Sequence, residues 1–238
     1  MKFSLVIPCY NEAANLPLLI QRCQDVFTSL ETEVVLVDNG STDDSAEVMA
    51  HLLADVENIR FVRVMPNEGY GHGILSGLRA ASGDILAWTH ADMQTDPYDA
   101  LEGFNFFQET STPENIFVKG LRYGRPLGDC FFSFGMSIFE TLLMRVGMRD
   151  INAQPTMFHK TFFAEFDNPP KDFSLDLYAY ARAKQSGLKV KRFPVLFGER
   201  AHGSSHWNIN SSEKIKFIKR TWKYSLELRR KLITERKP

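Results

Sequence analysis

The chain is poor in several things at once. Of its 238 residues only three are cysteine: Cys9, Cys23 and Cys130. The count is odd, and neither a CxxC pair nor zinc-type spacing occurs. A disulfide framework and a zinc site drop out, and free thiols in a reducing cytoplasm are expected. Eleven prolines and fifteen glycines are too few for a fibrous or low-complexity chain. Charge of one sign is also missing. The 28 Lys and Arg balance 29 Asp and Glu, so the formal charge is −1 and nothing global favours nucleic acid as a partner. Long clean apolar runs are absent too. FSLVI at residues 3–7 is too short for the core of a signal peptide. The longest apolar tract, 131–148, is interrupted by Glu140 and Arg145 and falls short of the roughly 20 residues of a spanning helix. No transmembrane segment is expected.

What is present is a globular composition, 44% hydrophobic and 24% charged, with enough aromatic residues to rule out wholesale disorder. Strand-like runs at 3–7, 33–37, 59–64 and 84–88 alternate with helical periodicity. Leu16, Leu19, Ile20, Cys23, Val26, Phe27 and Leu30 repeat at helical spacing within 12–30. Val48, Met49, Leu52 and Leu53 follow the capping candidates Ser41, Thr42 and Asp43, and a third helix is predicted at about 72–82. Four strand–helix alternations in under 100 residues imply right-handed crossovers, hence a mainly parallel sheet covered on both faces. Ligands of such sheets bind beyond the carboxyl ends of the strands. Four polar segments lie there: 8–12, 38–43, 67–73 and 90–94. They are predicted to meet in one pocket. Further on, helices are expected at 97–109, 131–147 and 174–186, and strands at 116–119 and 188–196. A polar loop then runs to 211. With no repeat and no flexible linker, the organisation expected is one domain over 1–212 and a basic C-terminal helix over 213–238.

No GxxxxGK[ST] loop exists, and the glycines at 69, 71 and 73 neither follow the first strand nor have GxGxxG spacing. The motifs that do occur point elsewhere. Ile7-Pro8-Cys9-Tyr10-Asn11-Glu12, Val37-Asp38-Asn39-Gly40-Ser41-Thr42-Asp43 and Ala91-Asp92-Met93-Gln94, in this order, resemble the family 2 glycosyltransferases. Within that family the chain looks most like the dolichyl- or polyprenyl-phosphate sugar transferase branch. Val118-Lys119-Gly120-Leu121-Arg122-Tyr123, Asp150-Ile151-Asn152, and Arg200 followed by His202-Gly203-Ser204-Ser205 extend the match over roughly 3–207. The resemblance implies a GT-A type fold, a Rossmann-like α/β/α sandwich. It also implies a UDP- or GDP-sugar donor, a divalent metal (Mn²⁺ or Mg²⁺), and inverting transfer to a polyprenyl phosphate or a glycan.

Physical chemistry gives these residues roles beside the analogy. Asp38 can accept hydrogen bonds from a base N–H or a ribose, Tyr10 can pack on the base, and Pro8 and Glu12 can shape the rim. As the sugar bond breaks, charge grows on the leaving diphosphate, and a metal or fixed cations must stabilise it. The family's Asp-x-Asp segment is altered here: His90 stands where its first Asp is usual, followed by Ala91 and Asp92. Asp92, then Gln94, are the expected metal ligands. His90 is either a third ligand, suited to Mn²⁺ more than Mg²⁺, or a donor-binding or structural residue. Arg122 and Arg200 stand where relatives hold phosphates, and the Arg fork suits that task. Arg200 is assigned to the donor. Arg122, with Arg125, Asn152 and Gln154, is assigned to the acceptor. Asp176 resembles the acidic residue that many members of the family use near the acceptor: a general base for a hydroxyl acceptor, unneeded as such for a phosphate, or simply a helix-start carboxylate.

The neutral total conceals a segregation. Residues 1–212 hold 18 basic and 26 acidic residues, whereas 213–238 hold ten basic and three acidic, a net +7. Ile215, Ile218, Trp222, Leu226 and Ile233 fall near helical spacing, so this tail reads as a basic amphipathic helix that suits an anionic membrane surface or else packs on the domain. The expected location is cytoplasmic, with peripheral attachment to the inner membrane face open to the tail. Two rivals stand beside the transferase reading. A sugar nucleotidyltransferase would want a basic, glycine-rich loop after the first strand. A non-catalytic sugar or nucleotide module would be a relative silenced at His90.

Overall fold

The computed structural model describes residues 1–201 and 211–235, with the side chains of 211–217 excepted. The motif residues at 202–205 and the last two tail cations, Arg236 and Lys237, lie outside the described residues.

Strand and helix alternate as the periodicity demands: β1 (Phe3–Cys9), α1 (Leu16–Val26), β2 (Thr32–Asp38), α2 (Ser45–Leu52), β3 (Ile59–Arg63), α3 (Tyr70–Ala80), β4 (Ile85–Trp88), α4 (Tyr98–Gln108). After a 3-10 turn come β5 (Ile116–Tyr123), α5 (Leu127–Met144), β6 (Thr156–His159), α6 (Lys160–Ala164), α7 (Leu175–Gln185), β7 (Lys189–Leu196) and α8 (Ser211–Glu235). The seven strands form one sheet in the order β3-β2-β1-β4-β6-β5-β7, and β6 alone runs antiparallel. Side-chain alternation splits the core in two. Leu5, Ile7, Val34 and Leu36 face α1, α2 and α4, while Val6, Val35, Val37 and Trp88 face α3 and α5 to α8. The mainly parallel α/β/α sandwich is thus as expected.

The order also fixes where a ligand can sit. The chain steps outward from β1 to β3, then returns past β1 to β4, so the crevice opens where the direction reverses, at the carboxyl ends of β1 and β4. Because β6 is reversed, its amino end shares that edge, and the 148–155 loop is delivered there as well.

Three expectations need adjustment. β6 and α6 were not anticipated: FHKTFFAEF carries four aromatics whose spacing suits either state, and a four-residue strand offers too little alternation to decide. α5 starts at Leu127, one turn before the expected 131, because Pro126 precedes its first turn and Gly128 does not halt it. It has 18 residues with mean hydropathy 1.3, long and apolar enough by length and composition to cross a membrane, and little of it is buried. Its face of Ser137, Glu140 and Met144 nonetheless packs on the domain. α8 docks beside it: Ser225 Oγ donates to Glu140 Oε1 at 2.5 Å, and Leu228 and Leu232 enter the core.

Candidate active site

The loops after β1 and β2 are laced together. Asn11, at φ +55°, accepts at Oδ1 from the Thr42 backbone N–H (2.8 Å), and its own N–H donates to Ser41 Oγ (3.1 Å). The Glu12 N–H donates to Ser45 Oγ (3.0 Å). This lacing holds Tyr10 out at the rim, 40% exposed, between half-buried Pro8 and Glu12. Asp38 is fully buried. Its Oδ1 accepts from the Ser41 N–H (2.9 Å), while Oδ2 makes no hydrogen bond although Arg63 Nε lies 3.1 Å away. Burial lifts the Glu12 carboxyl above its usual range, opposed by the Asn15 hydrogen bond and reinforced by the charge of Asp92.

The glycines at 69–73 serve packing. Gly69 has φ +117°, and a Cβ there would meet the Lys171 carbonyl oxygen at 2.5 Å. A Cβ on Gly71 would come within 2.7 Å of two backbone oxygens, those of Pro170 and Asp172. With both spaces kept clear, Tyr70 enters the crevice, stacked on Phe173 (4.6 Å between centroids) and on His90 (5.4 Å).

The segment after β4 supplies His90, buried Ala91, and Asp92, 6% exposed. Burial pulls the His90 imidazole below its usual range, against the raising charges of Asp92 and Asp176. Arg122 and Arg200 also act on it, so β5, α7 and the loops after β4 and β7 all send charge to this point. Arg200 Nη2 lies 2.9 Å from Asp92 Oδ2. The loop carrying Arg200 is tied to the Asp92 loop by a reciprocal pair: Gln94 Nε2 donates to the Gly198 carbonyl (3.1 Å), and the Gly198 N–H donates to the Gln94 carbonyl (2.8 Å).

A divalent cation would draw its protein donors from the segment after β4. Among the described residues no three His, Cys, Asp or Glu side chains gather as a metal cluster. Asp92, His90 and the amide oxygen of Gln94 would be the residues to hold it, a set whose imidazole fits Mn²⁺ better than Mg²⁺, although Asp92 here already meets Arg200 at Oδ2 and the Gln94 N–H at Oδ1.

The 148–155 loop and β5 form the other wall. Asp150 receives the Arg122 fork at Oδ1 (Nε 3.1 Å, Nη2 2.5 Å), and Arg125 Nη2 stands 3.6 Å away. Burial works against the Asp150 carboxylate, but the Arg122 hydrogen bonds outweigh it and hold the group below its usual range. Arg122 and Arg125 thus stand together, and the buried Arg125 Nε has no hydrogen-bond partner. With Arg149 they line a cavity of about 470 Å³ whose apolar walls include Leu127, Phe131 and Phe134 of α5. Half-buried Asn152 lies in the same loop. Gln154, 1% exposed, instead turns toward the first turn of α7, where its Nε2 donates to Asp176 Oδ1 at 2.8 Å. Asp176 is 2% exposed and also meets Lys119 and Thr156. Reading the sequence left Lys119, Tyr70 and Phe173 without roles. A lysine at an inward strand position next to a family motif was the available signal for the first, whereas the stack of Tyr70 and Phe173 joins segments 100 residues apart and leaves none.

Comparison with known proteins agrees with this architecture. The profile described as "Glycosyl transferase family 2" matches residues 4–151. The chain is 38% identical over 100 residues to undecaprenyl-phosphate 4-deoxy-4-formamido-L-arabinose transferase of Photorhabdus laumondii subsp. laumondii, a match over 40% of this chain and 30% of that protein. The chain therefore matches under a third of this relative's length. Among solved structures, glucosyl-3-phosphoglycerate synthase from Mycobacterium tuberculosis superposes with TM-score 0.70 in its complex with Mn²⁺, UDP and glucosyl-3-phosphoglycerate. That match has 18% identity and covers 96% of this chain and 79% of the other. The same enzyme with Mn²⁺, UDP-glucose and phosphoglyceric acid gives TM-score 0.76 at 16% identity, with the same coverage. With the profile spanning well over half of its residues and the GT-A sandwich around the crevice, the chain belongs to glycosyl transferase family 2.

Proposed function

We propose that this protein is an inverting, metal-assisted glycosyltransferase that moves a sugar from a UDP- or GDP-sugar to a polyprenyl phosphate. The observation that carries the acceptor is the cavity between β5 and α5. Its lining combines Arg122 and Arg125, both paired with Asp150, and exposed Arg149 with the apolar face of α5, where Leu127 is 88% and Phe131 80% exposed. A phosphate head on the arginines with a hydrocarbon tail on the phenylalanines matches both halves. A soluble glycan would have no use for the second.

On the donor side, Tyr10 would pack on the base, with Pro8 and Glu12 at the rim and Asp38 offering Oδ2. Asp92, with Gln94 and His90 beside it, would hold the cation, which when bound neutralises charge on the diphosphate. Arg200 already lies on Asp92 and would clamp the leaving diphosphate through its fork. An acceptor phosphate oxygen attacks the anomeric carbon from the face opposite the nucleotide. The bond from that carbon to the diphosphate oxygen breaks, and the nucleoside diphosphate leaves with the electron pair. The nucleophile arrives anionic, so no proton need be removed. Gln154 would orient Asp176, and Asn152 would border the acceptor.

The same geometry supports a membrane-facing orientation. Ser225 of α8 lies at Glu140 of α5 and Arg229 at Met144, so the two helices run side by side in the same direction. α5 exposes Leu127, Phe131, Phe134, Ile138 and Leu142, and α8 exposes Ile218 and Trp222 among Lys219 and Lys223. Each basic residue at an anionic leaflet contributes up to about 1 kcal/mol. The reading is tested by incubating the protein with labelled UDP- and GDP-sugars and Mn²⁺ or Mg²⁺, with or without undecaprenyl phosphate. Release of nucleoside diphosphate that rises with the lipid supports it. Release stimulated only by soluble glycans, or nucleotide binding without any release, contradicts it.

A further inference from the structure

Lys119 is the most completely buried cation among the described residues, with a side chain that is 0% exposed. Lysine is almost never found so deep unless paired. Its Nζ donates to Thr156 Oγ1 (2.5 Å), its register partner on β6, and to Asp176 Oδ1 (3.3 Å). Gln154 Nε2 reaches the same Asp176 oxygen, and Gln154 Oε1 is buried without a hydrogen bond. Thr156 is the first residue of β6 and pairs with Trp88, the last of β4, so the cluster meets the crevice end of those two strands while Lys119 itself sits midway along β5. A buried ion pair adds little stability over an apolar pair of similar size, so stability does not account for it here.

We propose that Lys119 is a positioning residue for glycosyl transfer, its buried ammonium holding the Asp176 carboxylate in a single orientation beside the sugar-transfer crevice. This rests on the transferase reading above. The Lys119 ammonium, the Gln154 amide and the Thr156 hydroxyl all converge on Asp176 Oδ1 and fix how the carboxylate is turned. Asp176 so held can accept hydrogen bonds from donor hydroxyls and favour the positive charge that develops at the anomeric carbon. Burial lowers Lys119 to about 8, and the charge of Asp176 opposes that fall. Arg192 of β7 lowers it as well, and Asp150 raises it. His90 and Tyr70 also feel the charge of Asp176.

Two readouts test the role. In ¹³Cε-lysine NMR, the resonance assigned by its loss in Lys119→Met should titrate near 8 in the unaltered chain, and lower in Asp176→Asn, which removes the raising charge. A Lys119 titration indifferent to Asp176→Asn overturns the pairing. In the transfer assay, Lys119→Met should lower kcat with the donor KM little changed, because a misplaced Asp176 fails the developing charge and not ground-state binding. A raised donor KM with kcat unchanged overturns the proposal. Should Lys119→Met fail to fold, the double variant Lys119→Met/Asp176→Asn leaves no buried charge. It should match Asp176→Asn alone within about twofold, and multiplying losses would contradict the role. If the unaltered chain transfers no sugar from any UDP- or GDP-sugar, the function proposed above fails, and the lysine titration still decides the pairing.

Discussion

At the scale of single residues, the site turns on Asp92, the one carboxylate on the β4 loop that also meets an arginine from the far side of the sheet. Asp92→Ala is expected to abolish transfer and metal-dependent nucleotide binding while leaving the thermal midpoint near its original value. Isothermal titration with nucleotide, with and without Mn²⁺, measures the binding half. His90 is the second test. Burial holds its imidazole neutral near pH 7, so Mn²⁺ should support faster turnover than Mg²⁺. His90→Asp should narrow that ratio, and a ratio unchanged in the variant removes His90 from the metal. Arg122→Lys should lower kcat/KM for the lipid acceptor by about 10- to 100-fold, because a point charge cannot reproduce the fork. These residues were legible because each sits in a short run at a strand end. Lys119 and the Tyr70–Phe173 stack were not, since their meaning lies in contacts between segments distant along the chain.

At the scale of elements, the first half of the chain follows its periodicity closely because each strand there is flanked by a long helix of distinct pattern. The second half resists for a physical reason. β6 is a four-residue strand inserted antiparallel between two parallel ones, and only its pairing with β4 and β5 makes it a strand. α5 and α8 meet at a buried carboxyl: Glu140 is fully buried, and burial raises it to about 7, opposed by the Ser225 hydrogen bond. The sign follows directly. The folded protein holds this proton where the unfolded chain has lost it, so the Glu140 contribution to stability falls as pH rises from about 4.5 to about 7 and is level above. The effect is at most about 3 kcal/mol. Glu140→Gln should therefore raise the thermal midpoint more at pH 8 than at pH 5, by several degrees. Equal shifts at both pH values, read by calorimetry, would remove the carboxyl from the helix contact.

At the scale of the molecule, the proposed membrane docking draws on the segregation of charge seen in the sequence. The acidic domain carries the crevice, and the basic helix runs along the exposed apolar helix that walls the arginine cavity. Phe131→Ser combined with Phe134→Ser should weaken sedimentation with vesicles containing anionic lipid and leave nucleotide binding unchanged. Added salt should weaken it further through the lysines and arginines of α8. The most direct measurement of the whole account is the product itself. The purified chain, given labelled UDP- and GDP-sugars, Mn²⁺ and undecaprenyl phosphate, should yield an acid-labile lipid-linked phosphosugar, and Asp92→Ala should yield none. Near-original turnover by Asp92→Ala, or sugar appearing only on soluble glycans, would contradict it.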